Sequence, residues 1–246
     1  VFTDNGRPLK QIPLAASPTA LAVAPDGSIY AALGDHIEVY SPDGQRQARW
    51  PKPADSSLLT AIAVGKEDVF AADAISKVVW RFDQDGAVKH SIGTQDPERN
   101  IPGILVPSPY FDLLIAPDGL LRVVNPGRHR IEAYTFDGHL EWFWGRPSVK
   151  LDGFSGCCNP VAFAMLPGGG FVTCEKGLVR VKVHDEEGQV IGAVAGPDQL
   201  GWQAPLRVCE TPEQCQDRGL DVAVSANGRV YVLDRMRNRV HRFEKR

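Results

Sequence analysis

The stretch that decides the fold is Leu21-Ala-Val-Ala-Pro-Asp-Gly27, which continues through Ser28-Ile-Tyr-Ala-Ala-Leu33 to Ile37-Glu-Val-Tyr-Ser-Pro-Asp-Gly44. It alternates short apolar runs with Asp-Gly turns. Asp-Gly between alternating apolar runs is a strong β-hairpin signal, because both turn positions favour positive φ. The segment therefore predicts three antiparallel strands joined by tight turns.

The same order of strands and turns recurs along the chain. Clear copies begin at Asp112 and Val161, and weaker copies begin at Ala61 and Leu220. With the first stretch they make five copies at intervals of roughly 40 to 60 residues, a period typical of propeller blades. No window keeps the apolar spacing of an amphipathic helix over three turns. We therefore predict one all-β domain over residues 1–246, a β-propeller of four-stranded blades.

The number of blades in the ring depends on the two ends of the sequence. The last copy stops after its third strand, near Val240-His-Arg-Phe243, and the segment Pro8-Leu-Lys-Gln-Ile12 could supply the missing fourth strand. Pairing of residues 8–12 with the last blade would remove an open sheet edge and close five blades. Alternatively, Val1-Phe2 is the end of an upstream blade, and the ring has six.

Composition excludes several classes of protein. The formal net charge is −3, which predicts no general attraction to nucleic acid or anionic lipid. No apolar run approaches the roughly 20 residues that span a bilayer, so we expect no membrane span. The first residues lack the basic and apolar regions of a signal peptide, as expected for a mature or trimmed piece of a longer chain.

Short motifs at the junctions between strands resemble a known family. Asn125-Pro-Gly-Arg-His-Arg-Ile131 and Asp234-Arg-Met-Arg-Asn-Arg-Val240 look like the NHL repeat, whose members mostly form six-bladed propellers. Pro107-Ser-Pro-Tyr-Phe-Asp112, Gly156-Cys-Cys-Asn-Pro160 and Glu175-Lys-Gly177 are similar to elements of bacterial NHL-repeat proteins that look exported. The resemblance implies an extracytoplasmic location, periplasmic or secreted, and no particular activity.

The unusual motifs fall in connections that a propeller places on one face. If strands are lettered a to d outward from the axis, the d-to-a connections and the b-to-c loops share a face. Loops on a rigid scaffold commonly carry function, so we predict a ligand site at this mouth of the central channel. The predicted ligand-binding residues are Tyr110, Asp112, Asn125, Arg128, His129, Asn159, Glu175 and Lys176.

The predicted mouth carries more basic than acidic residues, which favours an anionic ligand or an acidic partner segment. Arg130, Arg180 and Arg239 each begin a third strand, and we expect them to bond backbone carbonyls of adjacent blades. Arg128 and His129 lie within a loop and are better candidates for contact with a ligand.

The five cysteines all lie after residue 156. Three interpretations apply to Cys157, Cys158, Cys209 and Cys215: structural disulfides in an oxidising compartment, a metal site, or redox chemistry at a vicinal disulfide. We favour disulfides, since adjacent cysteines chelate one ion poorly and the spacing is not that of zinc ribbons. Cys174 lies in a predicted strand and is expected to be a buried, inert thiol.

The leading functional hypothesis is an exported binding or scaffold module that engages an anionic small molecule or a peptide segment at the mouth. Nucleic acid is not an expected partner, because only Tyr110 and Phe111 are placed there for stacking on bases.

The alternative is a metal-dependent hydrolase or lyase at the same mouth, with a divalent metal as cofactor. Gluconolactonase-like propellers hold such an ion with a carboxylate and asparagines, and that resemblance would implicate Asn125, Asn159, Glu175 and Asp234. The several axial histidines of some NHL-like lyases are not matched, since only His36 and His129 fall in b-to-c loops. No established catalytic motif is present, so catalytic residues stay unassigned.

Overall fold

The computed structural model describes residues 1–202 and 219–244. Within them the chain is an all-β, five-bladed propeller, and one short 3-10 helix at Pro126–Arg128 is the exception to its strands. Each sheet is antiparallel, and strands that follow one another in sequence are neighbours in the sheet. The predicted repeat fold is confirmed. No helix in the described ranges is long and apolar enough to cross a bilayer.

The strands, grouped by blade, are as follows. Blade 1 contains β1 (Ala20–Val23), β2 (Ile29–Ala32), β3 (Ile37–Tyr40) and β4 (Arg46–Arg49); blade 2 contains β5 (Leu59–Val64), β6 (Val69–Asp73), β7 (Val78–Phe82) and β8 (Val88–Ile92); blade 3 contains β9 (Leu113–Ile115), β10 (Leu121–Asn125), β11 (Arg130–Tyr134) and β12 (Leu140–Trp144); blade 4 contains β13 (Ala162–Met165), β14 (Phe171–Glu175), β15 (Arg180–His184) and β16 (Val190–Ala195); blade 5 contains β17 (Leu220–Val224), β18 (Val230–Asp234) and β19 (Arg239–Phe243).

Buried apolar side chains pack between consecutive blades. In blades 2 and 4 the turn between the third and fourth strands packs on a tryptophan of the blade before it. Gly86 lies against the Trp50 ring and Gly188 against the Trp144 ring, and a Cβ at either glycine would come within 2.3 Å of the indole. Both glycines also have positive φ, which a side chain disfavours. These contacts fix the spacing of blades 1 to 2 and of blades 3 to 4.

A repeated polar contact joins the innermost strands near the axis. Thr19 donates to the carbonyl of Leu59 at 2.6 Å, and Thr60 donates to the carbonyl of Phe111 at 2.6 Å. Asp112 takes the same place in blade 3 and accepts the N–H of Phe163 at 2.9 Å. These bonds fix the inner strands of blades 1, 2 and 3 to the blade that follows each of them.

The predicted fourth strand of the last blade is not formed among the described residues. Residues 8–12 contain no strand, and Pro8 makes an isolated bridge to Phe2 within its own segment. Lys10 donates instead to a carbonyl in the turn after β3, and Ile12 packs on the outer face of blade 1. Burial of Ile12 against blade 1 therefore competes with pairing on β19.

The amino-terminal segment links blade 5 to blade 1 through side chains. The Asp4 carboxylate is held by Arg229 and Tyr231 of blade 5, and its carbonyl accepts a hydrogen bond from Arg242 at 3.2 Å. These contacts are exposed, so we expect them to contribute little to stability.

The junction between blades 5 and 1 differs from the other four. Leu21 and Val23 in β1 are 59% and 68% exposed, whereas Leu113, which matches Leu21 in the third repeat, is 5% exposed. The face of blade 5 that points away from blade 4 exposes Leu233 and Val240. Four buried apolar clusters join blades 1 to 5 in succession, and none in the described residues joins blade 5 back to blade 1. We call this junction the seam.

The seam predicts unequal effects of two matched substitutions. Leu113→Ala should lower the free energy of unfolding by at least about 2 kcal/mol, because it leaves a cavity between blades 2 and 3. Leu21→Ala should cost no more than about 0.5 kcal/mol, since its side chain faces solvent. Urea unfolding followed by tryptophan fluorescence measures both. Equal costs would mean that the seam is covered in solution.

Candidate functional site

Three connections from different blades meet around one lysine. Lys176, in the loop between β14 and β15, donates its Nζ to Ser108 Oγ at 2.7 Å. Ser108 belongs to the connection between β8 and β9, and Cys158 from the connection between β12 and β13 also contacts the ammonium. The Tyr110 ring lies 4.8 Å from Nζ. We call Ser108, Tyr110, Cys157, Cys158 and Lys176 the Lys176 cluster.

The Lys176 ammonium is buried without a carboxylate partner. Its residue is 2% exposed, and no ion pair joins it to Asp or Glu within residues 1–202 and 219–244. Burying a charge is costly unless it is paired, so the ring face of Tyr110 and the Ser108 hydroxyl offset only part of the cost. The site is therefore electrostatically suited to an anion.

Asn159 fixes the backbone that carries Lys176. Its Oδ1 accepts the N–H of Lys176 at 2.9 Å, while its Nδ2 donates to the carbonyls of Lys176 and Ser155 at 3.1 and 2.5 Å. The side chain is buried and all of these groups are satisfied. Asn159, predicted to bind a ligand, is thus a positioning residue for the lysine loop.

Two adjacent thiols complete the cluster. The Sγ atoms of Cys157 and Cys158 lie 3.0 Å apart, with Cys157 exposed and Cys158 buried. Burial raises the pKa of Cys158, but hydrogen bonds from Ser108, Cys157 and Lys176 outweigh burial and leave this pKa below its ordinary value. Burial and the hydrogen bond to Cys158 raise the pKa of Cys157.

The structure describes three of the five cysteines, and all three are free thiols. Cys157, Cys158 and Cys174 are free thiols, so the structure contains no disulfide between Cys157 and Cys158. Cys209 and Cys215 lie outside the described residues. Cys174 is buried in β14 as predicted, and burial together with nearby carboxylates raises its pKa well above the ordinary value. Such a thiol is inert near neutral pH.

Glu175 is a core residue rather than a ligand of the mouth. Its Oε2 accepts hydrogen bonds from the N–H and hydroxyl of Ser155 at 2.9 and 3.0 Å and pairs with Arg180 at 2.7 Å. Its Oε1 pairs with the buried Lys182 at 2.9 Å. The carboxylate is closed to solvent. The carboxylate predicted to contact a ligand is thus already neutralised by two cations, Arg180 and Lys182.

The loop of blade 3 also uses its polar residues structurally. Asn125 is buried, accepts the N–H of Leu105 at 3.0 Å and donates to Glu132 at 2.9 Å. Arg128 donates to two carbonyls of the preceding connection, at 2.9 and 3.2 Å. His129 Nε2 lies 2.7 Å from a carbonyl of the cysteine-bearing connection. Asn125 and Arg128 therefore hold loops together rather than offering their polar groups to the mouth.

Of the arginines that begin third strands, Arg180 bonds backbone carbonyls as expected, whereas Arg130 does not. Arg130 pairs with Glu132 at 2.5 Å rather than with a carbonyl. Arg180 pairs with Glu175 and also donates to two carbonyls of the preceding connection, at 3.2 and 3.3 Å. Arg239 is exposed at the start of β19. Among the lysine and arginine residues of the mouth, Lys176 is the one that combines burial with no carboxylate partner in the described ranges.

Asp112 belongs to a carboxyl pair that the sequence pattern does not reveal. Burial and, to a smaller extent, the negative charge of Asp221 raise the pKa of Asp112 to about 8, against backbone hydrogen bonds from Phe163 and Leu113. Asp221 stands in an ordinary alternating strand, so nothing in the sequence marks it. At neutral pH this pair carries less negative charge than two ordinary aspartates.

The metal alternative finds no ligand set in the described residues. No group of three or more His, Cys, Asp or Glu side chains there is arranged to hold a metal ion. Asn125, Asn159 and Glu175 are held by the contacts given above, and Asp234 pairs with Arg237 at 3.3 Å. Two clefts of about 300 and 200 Å³ lie around residues 91–105, away from the Lys176 cluster.

Together, these features define a five-bladed propeller with a buried ammonium and a thiol pair where its connections converge. No family model and no curated protein matches the chain.

Solved structures of similar fold include a streptogramin B lyase, which is 14% identical over 100% of this chain and 75% of its own, with a TM-score of 0.58. Kuenenia stuttgartiensis hydrazine synthase is 14% identical over 94% of this chain and 58% of its own, also with a TM-score of 0.58. A third is a protein of unknown function from Bacteroides thetaiotaomicron, 18% identical over 93% of this chain and 59% of its own, with a TM-score of 0.62. The chain thus spans 58 to 75% of the length of these structures. At these identities the similarity shows the propeller fold alone.

Proposed function

We propose that this propeller is a binding module that holds a small anionic molecule at its mouth, with Lys176 as the charged anchor. The observation that carries the proposal is a buried ammonium with no carboxylate partner in the described part of the chain. Lys176 has three N–H donors, of which one is directed at Ser108 and one at Cys158. Within residues 1–202 and 219–244 the third donor has no hydrogen-bond partner, and this donor and the positive charge would bind an oxyanion.

The shape of the cluster favours a small ligand over an extended one. Lys176 is almost closed to solvent, and within its cluster Cys157 is the exposed cysteine. The Tyr110 ring covers one side of the ammonium and is itself held at the mouth, where its hydroxyl accepts the N–H of Gly219 at 3.2 Å. A carboxylate, phosphate or sulfate group fits this description, whereas a folded acidic surface cannot approach so closely.

An extracytoplasmic location belongs to the same proposal. Its supports are the resemblance of the cysteine-bearing connection to apparently exported proteins and the clustering of cysteines in two connections. An oxidising compartment would also change the state of Cys157 and Cys158, which touch the proposed site.

The test is a calorimetric titration of the protein with phosphate, sulfate and citrate at low ionic strength. We expect saturable binding of one anion per chain and at least about a tenfold loss of affinity in Lys176→Gln, the range of a hydrogen bond to a charged group. Lys77→Gln is the matched control, because Lys77 is an exposed lysine in the equivalent loop of blade 2. The proposal fails if none of the three anions binds, or if both variants lose affinity equally.

A further inference from the structure

The two adjacent thiols of the Lys176 cluster differ in their exposure to solvent. Cys157 is exposed and Cys158 is buried, yet their sulfur atoms lie 3.0 Å apart. Ser108 and Lys176 both direct polar groups at the buried sulfur, and none contacts the exposed one strongly enough to favour its thiolate. A structural thiol needs no such surroundings, as the inert Cys174 shows.

We propose that Cys157 and Cys158 form a dithiol site that exchanges with low-molecular-weight disulfides, with Cys157 as the attacking thiol and Cys158 as the resolving thiol. Access decides the order of attack, because only Cys157 reaches solvent. The stabilised thiolate makes Cys158 the resolving thiol, because a resolving sulfur must carry its negative charge while it is buried. The ammonium of Lys176 and the hydroxyl of Ser108 supply that stabilisation.

The exchange balances in two steps. In molecules whose Cys158 is ionised, Cys157 passes its proton across the 3.0 Å contact to Cys158 and attacks one sulfur of the small disulfide, whose S–S bond breaks and releases one small thiolate. Cys158 then loses its proton to water and attacks the Cys157 sulfur, which expels the second small thiolate. The protein dithiol is oxidised to a Cys157–Cys158 disulfide, and the small disulfide is reduced to two thiols.

Oxidation of Cys157 and Cys158 should also change the charge on the sulfur beside the Lys176 ammonium. In the dithiol form the ammonium faces the Cys158 sulfur, whose pKa is lowered and whose thiolate fraction competes for the positive charge. In the disulfide form the same sulfur is neutral, and the positive charge has no internal anionic partner in the described residues. A neighbouring opposite charge competes with an external anion for the same cation. This last step rests on the proposed anion site. It predicts that the oxidised protein binds phosphate about ten times more tightly than the reduced protein.

The test uses the full chain with Cys209→Ser and Cys215→Ser, so that only the pair and the buried Cys174 remain. Reduced protein is mixed with oxidised glutathione, quenched with an alkylating agent and analysed by peptide mass spectrometry. We expect a Cys157–Cys158 disulfide, a stable glutathione adduct on Cys157 in Cys158→Ser, and no adduct in Cys157→Ser. In Lys176→Gln the disulfide should form about ten times more slowly, while Lys77→Gln should match the parent.

Two outcomes separate this inference from the proposed function. The exchange site is overturned if no Cys157–Cys158 disulfide forms, or if Cys158→Ser gains no adduct, whatever the phosphate affinity of the protein. If the disulfide forms but oxidised and reduced proteins bind phosphate equally, the coupling to Lys176 is wrong and the exchange site stands. If neither form binds phosphate, the proposed anion site fails and the exchange site again stands on its chemistry.

Discussion

Glu175→Ala is expected to lower the free energy of unfolding by about 3 to 5 kcal/mol, the largest effect we predict. The substitution leaves Lys182 buried with no opposite charge, and it removes the acceptor for both hydrogen bonds of Ser155. Arg180 also loses its carboxylate partner. Lys182 cannot escape to water easily, because its ammonium is enclosed near the Phe154 ring and bonds a backbone carbonyl at 2.7 Å.

Urea unfolding monitored by fluorescence measures this loss. Glu187→Ala is the control, because Glu187 is an exposed carboxylate in the next turn and its removal should cost no more than about 0.5 kcal/mol. Glu175→Gln keeps the size of the side chain and removes its charge, so it should show an intermediate loss and remain measurable if the alanine variant does not fold. A cost for Glu175→Ala close to that of Glu187→Ala would refute the assignment of Glu175 to the core.

Asn159→Ala is expected to combine a loss of stability with a loss of anion binding. It leaves the N–H of Lys176 and the carbonyl of Ser155 buried without partners, which should cost about 2 to 4 kcal/mol. Because the same bonds fix the lysine loop, the affinity for phosphate should fall at least about tenfold even in the folded fraction.

The two effects are measured separately, by urea unfolding and by titration with phosphate well below the unfolding midpoint. Gln47→Ala is the control, since Gln47 is an exposed amide on the outer strand of blade 1 and should change neither quantity. Loss of stability with unchanged phosphate affinity would show that Asn159 does not position Lys176 for binding.

The strands and turns of this fold are readable from the sequence because the signals are local. The Asp-Gly turns and alternating apolar runs place each hairpin without reference to the rest of the chain. The exposed junction between blades 5 and 1, the seam, cannot be predicted from such local signals. Leu21 and Leu113 occupy the same place in their repeats, yet one is exposed and the other is buried. That difference depends on which blade lies beside each, and no local pattern encodes it.

The candidate site was predictable at the level of loops and less so at the level of side chains. Sequence reasoning placed the connections at one mouth, and the contact of Lys176 with Ser108 and Cys158 agrees with this. It did not separate Lys176 from Glu175, its neighbour. A usable signal did exist, because Glu175 and Arg180 flank a tight loop and pair directly across the hairpin. Opposite charges at such positions commonly form structural pairs.

We propose above that Lys176 holds an anion at the mouth, and anomalous diffraction from crystals soaked in selenate can locate that anion. We expect a selenium peak at the mouth, with a selenate oxygen about 2.7 to 2.9 Å from Lys176 Nζ, the distance of a charge-assisted hydrogen bond. The peak should vanish in Lys176→Gln and persist in Lys77→Gln. Selenate bound only at other basic residues, with none beside Lys176, would show that Lys176 is not an anion site.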